Sequence, residues 1–221
     1  VRGDAKASAC TPGGAKTVKA IAEIMGVNAE ATEPMVARVR CQGTCERVTT
    51  RYDYKGVPSC RAASGISGGP NACEFGCVGF GECLSVCAFG AIQMVDGIAV
   101  INDDVCTGCG MCVDVCPRNI IQMLPKDQTV VVMCRNEATG KRAVQQCKTA
   151  CVACKRCEKA CPSNSIKVVK GVAIIDETTC TRCGACIPVC PMHCIVHFYE
   201  RNMEDVAAAT AQAALNDIEI P

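Results

Sequence analysis

Cys106, Cys109, Cys112 and Cys116 are spaced C-x-x-C-x-x-C-x-x-x-C and followed by Pro117. Cys151, Cys154, Cys157 and Cys161 repeat the pattern ahead of Pro162, and Cys180, Cys183, Cys186 and Cys190 repeat it ahead of Pro191. Two-residue gaps let a short loop curl around a cube of iron and sulfide, setting three thiolates on three irons; soft sulfur suits that metal where a hard oxygen would not. The three-residue step and the proline, which cannot continue the loop's hydrogen bonding, carry the fourth thiolate to a neighbouring cluster. The runs must therefore work in pairs, and the chemistry they could do is one-electron transfer.

Two other cysteine chemistries compete with this reading. Structural zinc is signalled by pairs of C-x-x-C separated by a longer spacer, and triplets with a trailing Cys-Pro do not follow that layout. A disulfide scaffold is suggested by 23 cysteines in 221 residues, above the usual threshold for one. Yet the count is odd and each run crowds its thiols too closely to pair among themselves, which fits a reducing compartment.

A fourth run is imperfect. It reads Cys77, Phe80, Cys83 and Cys87, with Phe80 where Cys154 stands later in the chain and Ala88 in place of the proline. The stretch from Cys73 to Cys116 aligns with Cys147 to Cys190, and upstream Cys41 corresponds to Cys134, each after an apolar stretch. An internal repeat of this kind means two copies of one structural unit. Pairing by the crossing rule puts Cys87 with Cys106, Cys109 and Cys112, and Cys116 with Cys77 and Cys83. In the second unit Cys190 joins Cys151, Cys154 and Cys157, while Cys161 joins Cys180, Cys183 and Cys186. Four 4Fe–4S clusters result. One of them lacks a ligand at Phe80, for which Cys73 is a candidate. Cys41, Cys45 and Cys60 suggest a fifth cluster, with Cys73 or Cys77 as fourth ligand. Ligand counting leaves that region one thiolate short of two full cubanes. Cys134, Cys147 and Cys194 have no fourfold partners and read as buried free thiols, although Cys134 and Cys147 could also bond to a cluster's surroundings or to each other.

The elements that must hold these loops are short. Ile92 to Val95 and Ile98 to Ile101 flank Asp96-Gly97, and Ile166 to Val169 and Val172 to Ile175 flank Lys170-Gly171; Asp-Gly between alternating runs predicts a hairpin. A third pair, Ile120 to Leu124 and Thr129 to Met133, flanks Pro125 and joins the two units. The fold class expected is α+β, two tandem units of hairpins and short post-cysteine helices packed around clusters. Residues 1–35 form an N-terminal segment with a helix over Lys16 to Met25 closed by Gly26. The units span 36–133 and 134–198, and a helix-prone, alanine-rich tail spans 199–221. With 3% aromatic residues and no tryptophan, units this small bury too little apolar surface to fold alone, so metal ligation supplies part of the folding free energy. Neither a membrane-length apolar run nor a secretory signal is visible, and the chain as it stands reads as soluble.

Net charge is +1, but it is unevenly spread. Residues 71–133 carry seven acidic and two basic side chains, net −5, whereas residues 134–170 carry nine basic and two acidic, net +7. The basic face of Lys141, Arg142, Lys148, Lys155, Arg156 and Lys159 either receives an acidic redox protein or balances the clusters' own charge, roughly −2 each when oxidised. Nucleic-acid binding is not expected, because no aromatics interleave the basic residues. No glycine-rich phosphate loop or C-x-x-C-H haem site occurs, so nucleotide and haem cofactors are not expected. His193 and His197 flank Cys194 and read as packing residues.

On these residues, together with the Cys10-Thr-Pro-Gly-Gly segment, Met35-Val-Ala-Arg-Val, Cys41-Gln-Gly-Thr, Cys60-Arg-Ala-Ala and Gly69-Pro before Cys73, the chain resembles the B subunits of Rnf complexes. These are ion-translocating ferredoxin:NAD oxidoreductases, and the match is to their longer, cysteine-rich variety. The resemblance covers nearly the whole chain. It implies a peripheral electron-transfer subunit, with no substrate chemistry of its own, that exchanges electrons with soluble ferredoxin. Electrons would pass toward the membrane subunits while a separate flavin subunit handles NADH. It further implies a transmembrane helix and a cluster segment upstream of this chain, Cys10 being the last ligand of a sixth cluster, and a place on the cytoplasmic face of the cell membrane. The iron–sulfur subunit of a soluble dehydrogenase or hydrogenase is the alternative with the same wire and a different partner.

Overall fold

The computed structural model describes residues 6–28 and 33–198; the alanine-rich tail lies outside the described residues. Helix α1 (Gly14–Met25) ends where Gly26 turns left-handed, φ 64°, and donates its N–H to the Ala22 carbonyl. This is the glycine stop the sequence predicts, and of the helix only Val18 is buried. No helix among the described residues is long and apolar enough to cross a membrane.

Two units of the same plan follow. In the first, β1 (Met35–Val39) pairs antiparallel with β4 (Ile121–Pro125), Met35 opposite Pro125 and Val39 opposite Ile121. Between them a hairpin of β2 (Ile92–Val95) and β3 (Ile98–Ile101) turns at Asp96-Gly97. In the second, β5 (Val130–Val132) pairs with β8 (Ile195–His197), and β6 (Ile166–Val169) pairs with β7 (Val172–Ile175) around Lys170-Gly171. Both turns carry two consecutive positive φ values, 46° and 80° in the first and 48° and 83° in the second. That is the twist a two-residue hairpin needs and the reason glycine holds the second place.

The segments flanking Pro125 do join the units, but not as a pair. Each closes the sheet of a different unit, because a strand buried on its own unit's core gains more than one paired across the junction. The chain thus crosses between units over residues 126–129, ahead of the expected boundary at 133. Two buried arginines, Arg38 in β1 and Arg40 just after it, hold the units together. Arg38 bonds the Lys126 and Gln128 carbonyls and the Asp103 carboxylate, the last at 2.8 Å, and its guanidinium lies 4.4 Å from the centre of the Phe198 ring. Arg40 reaches into the second unit, donating to the carbonyls of Val132, Cys134 and Ala173 at 3.2–3.5 Å.

The core has a main cluster in each unit and a smaller third one of Leu124, Val131, Met133 and Phe198. Ile92, Ile98, Ile101, Ile120 and Ile121 pack among the cysteines of the first unit, and Val130, Val132, Ile166, Val172 and Ile195 among those of the second. Short helices begin inside the cysteine runs: α3 (Glu82–Ser85), α4 (Met111–Val115) and, in the second unit, α6 (Arg156–Ala160). Outside this shared plan are α2 (Cys60–Gly65) and α5 (Gly140–Gln146), each in the segment between the unit's first strand and its first run.

Candidate iron–sulfur cluster sites

Each of the four runs has the same backbone signature. The residues on either side of the middle position are left-handed: Gly79 and Gly81, Gly108 and Gly110, Ala153 and Lys155, Arg182 and Gly184, with φ between 58° and 95°. Left-handed backbone costs a residue with a Cβ about 1 kcal/mol or more, yet Ala153, Lys155 and Arg182 adopt it. The reversal on each side of one residue is what curls a loop into a cup. The first run curls identically although Phe80 replaces its middle thiol, and the Phe80 ring packs instead on Tyr54, 5.4 Å between centres at 59°.

The cups close into cysteine-lined pockets. Cys87, Cys106, Cys109 and Cys112 line one of them. Cys151, Cys154, Cys157 and Cys190 line another, joined by Cys194, whose sulfur stands 3.5 Å from that of Cys190. Cys186 feels the charge of Cys157, Cys180 and Cys161, so the last run and the crossing thiol share a neighbourhood. Cys83 likewise feels Cys116 and, in addition, Cys60. No disulfide joins any of the 23 cysteines. Among the described residues no group of three or more histidine, cysteine or carboxylate side chains closes on a single-ion position.

The thiols upstream of the runs are distributed differently from the expected trio of Cys41, Cys45 and Cys60. Cys41 and Cys73 line a pocket between the units, together with Cys134 and Cys147 of the second. Cys73, a candidate for the Phe80 vacancy by sequence, thus faces the junction, while Cys60 takes the place beside Cys83. Ser59 caps α2 by accepting the Ala62 N–H, its hydroxyl bonds the Glu82 carboxylate of α3, and this docks Cys60 at the helix that carries Cys83. Cys45 sits at the β2–β3 turn: its N–H donates to the Asp96 carbonyl, and a Cβ on Gly97 would lie 2.7 Å from its sulfur. Cys10 is exposed, beside α1 and outside both units. Spacing alone leaves Cys134 and Cys147 as orphans; the alignment that matches Cys41 with Cys134 and Cys73 with Cys147 is the signal that places all four on one site.

Burial governs the thiols electrostatically. Desolvation pushes Cys77, Cys112 and Cys134 up to about 12 and Cys73, Cys83, Cys157 and Cys186 up to about 11. Such groups become thiolates only when a cation replaces the proton. Cys190 runs the other way, down to about 5, because the Cys194 thiol donates to it and backbone N–H groups outweigh its burial. Backbone N–H groups also point at sulfur from Ala37 to Cys106 at 3.4 Å and from Ala91 to Cys87 at 3.3 Å. Donors of this kind favour the negative charge that ligated thiolates carry, and they tune the potential of a bound cluster.

Not every site is deeply enclosed. Cys154 and Cys183 are exposed, and the six basic residues Lys141, Arg142, Lys148, Lys155, Arg156 and Lys159 are exposed as well. Lys155 and Arg156 immediately follow Cys154, so a surface thiol of one cup opens beside positive charge.

Comparison with known families matches residues 99–122 to the 4Fe-4S binding domain and residues 150–194 to the 4Fe-4S dicluster domain. The chain is 41% identical, over 86% of its length, to the B subunit of the ion-translocating oxidoreductase complex of Methanosarcina acetivorans, of which it covers 73%. It is 44% identical over 88% of its length to the B subunit of the Na(+)-translocating ferredoxin:NAD(+) oxidoreductase complex of Acetobacterium woodii, covering 59% of that protein. Similarity to the proton-translocating counterpart of Clostridium ljungdahlii is 38% over 82% of the chain and 65% of the relative. The chain therefore spans between about three-fifths and three-quarters of the length of these relatives.

Proposed function

This chain belongs to the B subunits of ion-translocating ferredoxin:NAD(+) oxidoreductase complexes, iron–sulfur electron-transfer subunits, and we propose that it relays electrons between soluble ferredoxin and the membrane subunits of such a complex. The observation that carries this reading is the same left-handed cup in all four cysteine runs, two of them opening onto a pocket shared with a thiol of the partner run and the other two carrying a thiol, Cys83 or Cys186, that feels the charge of one in the partner run. A 4Fe–4S cluster, when bound, stores and passes one electron at a time. The residues do the rest.

Cys106, Cys109, Cys112 and Cys87 hold one cluster, and Cys77, Cys83 and Cys116, with Cys60 filling the Phe80 vacancy, hold its neighbour. Cys151, Cys154, Cys157 and Cys190 hold a third, and Cys180, Cys183, Cys186 and Cys161 a fourth. Isoleucine and valine side chains of the hairpins exclude water from the cups, and backbone N–H groups offset thiolate charge. Lys155, Arg156 and Lys159 at the exposed mouth beside Cys154 steer an acidic ferredoxin toward the second unit, since complementary charge raises encounter rates. Cys10 serves a further cluster with ligands upstream. Other partners are the flavin subunit that handles NADH and the membrane subunits, and the work is done at the cytoplasmic membrane face with an upstream helix as anchor. Substrate chemistry other than electron transfer takes place on other subunits.

Anaerobic purification with iron and acid-labile sulfide analysis, followed by EPR during titration with reduced ferredoxin, tests this reading. A brown protein with several reducible cubanes that accepts electrons from ferredoxin is expected. A colourless, zinc-loaded protein overturns it.

A further inference from the structure

We infer that Cys41, Cys73, Cys134 and Cys147 hold an additional 4Fe–4S cluster at the junction of the two units, two ligands coming from each. The inference rests on the chain being a multi-cluster carrier and concerns thiols that lie outside every ferredoxin-type run.

Four observations converge on it. All four side chains line one pocket, and all are buried, at 7–8% exposure. A Cβ on Gly76 would stand 3.5 Å from the sulfurs of both Cys41 and Cys73, and one on Gly43 would stand 3.6 and 3.7 Å from those of Cys41 and Cys147. The sulfurs of either pair are therefore no more than about 7 Å apart, within the span of a cube of iron and sulfide, and glycine lets the chain skirt them.

The second observation is a matching hydrogen-bond pattern. Cys41 follows the last residue of β1 by two, and Cys134 follows the last of β5 by two. The Cys41 sulfur accepts the N–H of Gly43, two residues on, and of Cys77, the first cysteine of its own unit's first run, both at 3.4 Å. The Cys134 sulfur accepts the N–H of Asn136, two residues on, at 3.4 Å and of Cys151, the first cysteine of its unit's first run, at 3.3 Å. Two donors aimed at one sulfur, duplicated across the junction, form an environment built for thiolate, and a buried cysteine that merely fills space does not require it.

Third, compensating cations stand on both sides. The half-buried Arg118 guanidinium interacts with Cys73, and the buried Arg40 guanidinium interacts with Cys134 while bonding its carbonyl. Fourth, the backbone is stitched so as to hold Cys147 against the first unit. Thr49 N–H donates to the Gln146 carbonyl at 3.0 Å and Lys148 N–H to the Arg47 carbonyl at 2.8 Å, with Val48 and Cys147 bridged between them. The site exists only when the units are docked, which sets it between the two pairs of cups.

The test uses the full chain, reconstituted anaerobically, with iron, sulfide and zinc assayed beside spin integration by EPR after full reduction. Cys134→Ala/Cys147→Ala should lose about four irons per chain, the content of one cubane, and one reducible spin. Cys41→Ala/Cys73→Ala should lose the same amount, and the quadruple variant no more than either pair. Because these substitutions could also loosen the junction, the unsubstituted protein is alkylated in parallel and mapped by mass spectrometry. The four thiols should be protected in step with iron retention, even against small reagents after mild unfolding. Wild-type iron in both pairs, or loss of one zinc and no sulfide, overturns the assignment. So does loss of a cubane on Cys45→Ala instead. A wild-type protein without iron would sink the electron-carrier reading itself, a result distinct from the retention of the run-bound clusters with these four thiols freely alkylated.

Discussion

Reversing Lys155 and Arg156 to glutamate changes the charge beside the exposed mouth at Cys154 by four units without touching a ligand. Both side chains are exposed, and Arg156 opens α6, where an acidic residue favours the helix start, so the fold should tolerate the exchange. For a partner carboxylate roughly 8 Å away in water, each unit of charge is worth about 0.5 kcal/mol before screening. With a Debye length of about 30 Å at 0.01 M salt, four units amount to about 1.6 kcal/mol, or a roughly 15-fold slower encounter. At 0.15 M, where that length is about 8 Å, the same change amounts to about 0.8 kcal/mol and roughly fourfold. Stopped-flow reduction of the chain by reduced ferredoxin at the two salt concentrations measures both numbers, and reduction by a small uncharged donor serves as control and should be unchanged. An equal rate for variant and wild type at 0.01 M, or a deficit that does not shrink with salt, would refute the reasoning that this face receives the partner.

Four further outcomes follow from the structure. Cys60→Ala should convert the first unit's incomplete site to a three-iron centre, seen by EPR of the oxidised protein, whereas Cys45→Ala should leave its iron intact. Cys194→Ser should retain wild-type iron, because the pocket it borders already has four thiols from the paired runs; loss of about four irons would make Cys194 a ligand. Gly171→Ala places a Cβ against the Glu137 carbonyl oxygen at φ 83° and should cost roughly 2–4 kcal/mol, read as earlier cluster loss on heating. Chelating the iron anaerobically should abolish the circular dichroism of the hairpins and release thiols for alkylation, since cores this small depend on their metal.

Much of this was legible in the residues. The hairpins at Asp96-Gly97 and Lys170-Gly171 stand where dipeptide chemistry puts them, and α1 stops at Gly26, because such local signals depend on a few adjacent residues. The crossing of the chain at 126–129 was not legible. Ile120 to Leu124 and Thr129 to Met133 alternate as a hairpin would, and only the partners supplied by Met35–Val39 and Ile195–His197, both distant in sequence, send them into different sheets. The gathering at the junction escaped for a similar reason. Spacing arguments see thiols a few residues apart, whereas Cys41 and Cys134 meet because two copies of one plan face each other. The left-handed Ala153, Lys155 and Arg182 carry no signature of their own, being held open by the cup they line and not by their side chains.

The strand pairing sets an order of events at the ribosome. The first unit has every strand it needs once residue 125 has emerged, whereas the second cannot close its outer sheet until His197 is free to pair with Val130. At roughly 5–20 residues per second, about 4–14 s separate the two moments. During that interval the nascent chain leaves Cys134 to Cys194 unsheltered, so the expected order of iron delivery runs from the first unit to the second, with the later thiols the ones most in need of an escort against oxidation.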